Sequence, residues 1–121
     1  FAGIYNNLGI ALYAKGENEE AISHYKMAIK VNPFHTKAYY NLGIAFFAKK
    51  KNEEAISYYK MAIKLSPNFT NAHYNLGLAL VQKGQMKEAV HHFRETLRVK
   101  PDFIGARDYL EFALMRLQKL K

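Results

Sequence analysis

Apolar residues recur along the chain at three- and four-residue spacing. Tyr5, Leu8, Ala11 and Leu12 fall on one stripe and Ala21, Ile22, Tyr25, Ala28 and Ile29 on a second, a spacing that gathers side chains on one face of an α-helix. Both stripes return at a fixed interval: YNNLGIAL at 5–12 is answered by YYNLGIAF at 39–46 and HYNLGLAL at 73–80. Residues 2–35 and 36–69 agree at about 20 of 34 positions, and Pro33, Pro67 and Pro101 keep the same phase. A period of this length describes a supersecondary unit stacked on copies of itself. Each copy predicts two helices.

The punctuation agrees with that division. AKGEN, AKKKN and QKGQM separate the two helices of successive copies. Gly16 and Gly84 suit the left-handed conformation that ends a helix tightly. Lys50 replaces that glycine in the second copy, at a cost of about 1 kcal/mol if the turn is kept. The prolines end the second helices, because the ring blocks continuation and biases the preceding residue away from helical angles. Glu19, Glu20, Glu53 and Glu54 stand at the start of those helices and Lys30 and Lys64 near the end, as the helix dipole prefers. Gly9, Gly43 and Gly77 instead fall inside first helices, where glycine costs about 1 kcal/mol relative to alanine. Close helix approach would offset that cost, and Ala21, Ala55 and Ala89 are the expected contacts, small residue on small residue.

These residues resemble the tetratricopeptide repeat family. Copy one matches through Tyr5, Leu8, Gly9, Leu12, Ala21, Tyr25, Ala28 and Pro33, and copy two through Tyr39, Leu42, Gly43, Phe46, Ala55, Tyr59, Ala62 and Pro67. Copy three matches through Leu76, Gly77, Leu80, Ala89, Phe93 and Pro101, departing with His73 at the first aromatic and Thr96 at the second alanine. The resemblance implies an all-α fold, a right-handed superhelical solenoid of antiparallel helix pairs. Its repeats would be 2–35, 36–69 and 70–103, in a single domain over 1–121, with a capping helix at 104–120. In that last segment Leu110, Ala113, Leu114 and Leu117 share a stripe and Glu111 takes the glycine position, the mark of a solubilising cap. The chain opens on Phe1 directly inside the pattern, so a fragment of a longer protein is expected, with further repeats upstream or a sticky exposed end.

Composition narrows the function classes. Half the residues are hydrophobic, enough for a continuous core. No apolar run reaches the roughly 18–20 residues of a membrane span, and no signal peptide is evident. Cysteine is absent, which removes disulfides and thiolate metal sites and leaves the compartment open, with an intracellular setting slightly favoured. Asn68-Phe69-Thr70 would matter as a glycosylation acceptor only in a secretory setting. His91 and His92 point to different sides of a helix, and His24, His35 and His73 lack metal-ligand spacing. No phosphate-cradling glycine loop is present. The expectation is no enzyme, no cofactor, no metal and no small-molecule substrate.

In the family resembled, first helices line the concave surface. That implies inner columns of Asn7, Asn41 and Asn75; of Ile10, Ile44 and Leu78; of Tyr13, Phe47 and Val81; and of Asn6, Tyr40 and Tyr74. Tyr109, Phe112 and Met115 would continue them on the cap, with Lys37 as the one inner positive charge. The asparagine line is similar to the ladder in the repeat superhelix of O-linked N-acetylglucosamine transferase. Its amides can both donate to and accept from an extended peptide backbone, or can bond between helices. Three such bonds at about 1 kcal/mol each fall short of the roughly 8 kcal/mol of micromolar binding, so aromatic anchors must supply the rest. A carboxylate clamp of the chaperone-binding kind lacks its cationic members here, since Asn6, Ile10, Asn71 and Asn75 occupy those places beside Asn41.

The expected function is a protein-interaction module that holds an extended partner segment in its groove. Two alternatives stand beside it. One is a structural segment of an oligomer, or of a larger enzyme such as a glycosyltransferase, self-associating through the uncapped N-terminal end. The other draws on the net charge of +8: Lys26, Lys60 and Arg94, with Lys30, Lys64 and Arg98, form outward columns that could meet nucleic acid. Charge complementarity at helix ends accounts for those columns more simply.

Overall fold

The computed structural model describes residues 1–119. Among them the chain forms seven α-helices: α1 (Ala2–Ala14), α2 (Asn18–Val31), α3 (Thr36–Ala48), α4 (Asn52–Leu65), α5 (Thr70–Gln82), α6 (Met86–Val99) and α7 (Ile104–Lys119). The expected cap is described as far as Lys119, and its residue 120 lies outside the described residues. α1 packs on α2, α3 on α4 and α5 on α6, and each pair then packs on the next, with α7 against α6. This is an all-α solenoid of antiparallel helix pairs. No described helix is long and apolar enough to cross a membrane.

The three turns inside the pairs are the same turn. Gly16, Lys50 and Gly84 take φ of 83°, 61° and 76°. In each, the amide of that residue donates to a carbonyl three back, at Tyr13, Phe47 and Val81, and the next amide to Leu12, Phe46 and Leu80. Lys50 thus keeps the left-handed geometry without being glycine, as the substitution cost requires.

The mid-helix glycines pack differently from expectation. A Cβ on Gly9, Gly43 or Gly77 would lie 2.5, 2.4 or 2.4 Å from the ring of Tyr25, Tyr59 or Phe93. The residue laid on each glycine is thus the aromatic four positions after the alanine, one helical turn along, rather than Ala21, Ala55 or Ala89. Those alanines are themselves wholly buried in the core. A flat ring against a bare backbone seats the second helix closer than a side chain there would permit.

A second aromatic pair holds each unit: Tyr5 with His24, Tyr39 with Tyr58 and His73 with His92, with ring centroids 6.5, 6.5 and 5.2 Å apart. The first-helix member also fastens the loop before it. Tyr39 donates its hydroxyl to the Pro33 carbonyl at 2.9 Å, and His73 Nε2 stands 2.8 Å from the Pro67 carbonyl. A loop carbonyl just beyond the end of each of these second helices is satisfied in this way.

Candidate functional site

α1, α3 and α5 follow one another across the stack and touch directly, so equivalent positions on them form lines. Five of the side chains singled out from the sequence converge here. Tyr13 from α1, Ile44 and Phe47 from α3, and Asn75 and Leu78 from α5 line a cavity of about 220 Å³, completed by Ala48 and Tyr59. Its wall is apolar apart from the Asn75 amide and the phenols of Tyr13 and Tyr59. Burial raises the Tyr59 phenol well above its ordinary range, and the neighbouring Tyr40 and Tyr13 phenols push it the same way, so Tyr59 is a neutral hydroxyl at any physiological pH. Tyr59 also covers Gly43, which makes one ring part of both the core and the cavity wall.

Two of the three asparagines of the expected line bond across to the neighbouring unit, each to a residue of the adjacent column. Asn41 Nδ2 donates to Asn6 Oδ1, and Asn75 Nδ2 to the Tyr40 hydroxyl, both at 3.0 Å. Asn6 is buried beneath this bond, whereas Asn7 is exposed. Asn41 and Asn75 each spend one N–H on the neighbouring helix and keep the carbonyl oxygen and second N–H, while Asn6 accepts through its carbonyl oxygen. The amides are thereby held in fixed orientation, as preorganised polar contacts require.

The remaining candidates are distributed. Tyr40 lies against Phe69 and Tyr74 against Phe103, each with centroids 4.7 Å apart, so both rings serve the junctions between pairs. The signal for these partners was a phenylalanine two residues after Pro67 and Pro101. Burial raises the Tyr40 phenol, and the Asn75 bond lowers it by a smaller amount. Tyr109 stacks on Phe93 at 5.9 Å and meets Tyr74 edge-on, and the exposed Phe112 carries Arg116 over its ring. Ile10 is exposed on α1. Lys37 lies away from the apolar cavity, in a depression of about 540 Å³ shared with Phe69, Asn71 and Lys100. Tyr59 and Ala48 were missed in the sequence because one belongs to a second helix and the other ends a first helix.

The outward basic columns are partly engaged within the chain. Lys60 pairs with Glu88 at 2.9 Å, Arg98 bonds Glu95 and Asn68, and Lys26 lies 5.7 Å above the Phe46 ring. Lys30, Lys64 and Arg94 stay exposed. No group of three metal-ligating side chains occurs among the described residues.

Family models agree with this geometry. A tetratricopeptide repeat model matches residues 6–68 and another matches 70–103. The chain belongs to the tetratricopeptide repeat family. Two solved tetratricopeptide structures share its fold. The first tetratricopeptide domain of Spaghetti (RPAP3), bound to the HSP90 peptide SRMEEVD, superposes with a TM-score of 0.94 at 24% identity, over 97% of this chain and 93% of that one. The first such domain of human RPAP3 gives a TM-score of 0.90 at 24% identity, over 98% and 93%. At this identity the likeness speaks for the fold. Comparison with curated proteins returned no match.

Proposed function

We propose that this tetratricopeptide domain is a protein-interaction module that binds an extended segment of a partner along α1, α3 and α5. The observation that carries the reading is the convergence of Tyr13, Ile44, Phe47, Asn75 and Leu78 on one cavity spanning three successive first helices. At about 220 Å³ it is smaller than the roughly 300–1,000 Å³ of drug-sized sites, and it suits a single apolar side chain of a longer ligand. Asn41 and Asn75, oriented by their bonds to Asn6 and Tyr40, offer carbonyl oxygens to backbone amides. An extended ligand presents such amides; a helical one uses them internally. The peptide bound by the Spaghetti domain supports the class of ligand, with the cationic clamp absent here.

The test is a displayed library of random peptides screened against the domain, against Tyr13→Ala and against Asn75→Ala. Enrichment of extended sequences sharing one apolar anchor is expected, with about tenfold weaker binding in each variant at an unchanged circular dichroism spectrum. Equal binding by both variants would remove the groove reading.

A further inference from the structure

Beside the apolar cavity lies a second one of about 360 Å³, lined by Phe47, Ala48, Lys50, Asn52 and Gln82. Phe47 and Ala48 belong to both, so the two share a wall. Lys50 is the one charged residue among its five lining residues. Two features mark Lys50. Its backbone holds φ at 61°, in the region where glycine stands at the two equivalent turns and where an L side chain is strained. Its ammonium, like that of Lys51, has no ion-pair partner among the described residues, whereas Lys49 pairs with Glu19 and Lys83 with Glu53; of the two unpaired lysines, Lys50 is the one that lines the pocket. An exposed cation is thus carried, at a conformational cost, beside a pocket that shares Phe47 and Ala48 with the apolar cavity.

We propose that Lys50 selects the partner: the segment bound in the groove carries an aspartate or glutamate a few residues from its apolar anchor, and that carboxylate enters the pocket formed by Lys50, Asn52 and Gln82. The inference rests on the groove reading and adds the charge of the ligand to it. In an extended segment, side chains two apart face the same way at roughly 6–7 Å, a spacing that places anchor and carboxylate over two pockets with a shared wall. Asn52 and Gln82 can donate amide hydrogens to the same carboxylate. The site lies at the turn between the paired helices, away from the inner positions of the chaperone carboxylate clamp.

The experiment uses nine-residue synthetic peptides, each with one leucine or phenylalanine anchor in a serine and alanine background. Glutamate, glutamine or lysine is scanned through the neighbouring positions, and binding is read by fluorescence anisotropy. Wild type is expected to favour glutamate over glutamine by about three- to tenfold at one spacing. In Lys50→Gln that preference disappears while the glutamine peptide binds as before, and in Lys51→Gln it persists. Equal binding of glutamate and glutamine peptides by wild type, or a preference that survives Lys50→Gln, overturns the assignment and leaves the groove intact. If no peptide binds, or binding is indifferent to Tyr13→Ala, the groove reading falls and this proposal with it.

Discussion

Gly43 and Lys50 show how one side chain can be decided by the space it occupies. Gly43 sits in mid-helix with the Tyr59 ring where its Cβ would be. Gly43→Ala would gain about 1 kcal/mol of helix propensity and lose more to overpacking. We expect a net destabilisation of about 1–2 kcal/mol in urea unfolding. Gly3, with open space around its missing Cβ, should tolerate the same change without loss. Lys50 presents the opposite case, a side chain where glycine fits better. Lys50→Gly relieves the left-handed backbone and should stabilise the fold by about 1 kcal/mol, raising Tm by roughly 3–5 °C in a thermal scan. If the binding proposal holds, that stabilised variant also loses the preference for acidic peptides.

Among the elements, α5 and α6 depart most from the repeat, and the departures are coupled. His73 Nε2 faces the Pro67 carbonyl and so carries the proton, which leaves its Nδ1 to accept from His92 Nδ1–H at 3.0 Å. Thr96, buried where the other units have alanine, donates its hydroxyl to the His92 carbonyl at 2.9 Å. Burial first, then His73, His91 and Lys60, together hold the His92 pKa down at about 4 against an opposing pull from Glu88. The unfolded chain, with its histidine near 6.5, takes up the proton first. The stabilisation is therefore complete above pH 6.5 and is lost as pH falls to about 4, with a slope of at most about 1.4 kcal/mol per pH unit. Thermal scans across this interval should show a steeper decline for wild type than for His92→Asn.

For the whole molecule, stacking makes equivalent residues unequal. Leu8, Leu42 and Leu76 hold the same place in their units, yet Leu42 and Leu76 are wholly buried and Leu8 is 46% exposed. Leu42→Ala and Leu76→Ala should each cost about 2–5 kcal/mol, and Leu8→Ala under about 1.5 kcal/mol, by equilibrium denaturation. In a solenoid each unit leans on its neighbours. Hydrogen exchange should accordingly find α1 and α2 opening at lower free energy than α4 and α5.

The 34-residue recurrence, the turn glycines and the terminating prolines determined the helix pairs and their family, because periodicity and turn chemistry act within short stretches of chain. The first-helix residues of the candidate groove were named through the family resemblance, which implies that first helices line the inner surface; periodicity alone does not say which helical face is left open. The tertiary structure alone decided what those faces meet. It laid Tyr59 rather than Ala55 on Gly43, bonded Asn75 to Tyr40 across 35 residues, and set Lys50 beside Phe47 and Gln82. Such contacts join residues far apart in sequence through the angle at which one helix settles on another, and side-chain volumes set that angle once the units stack.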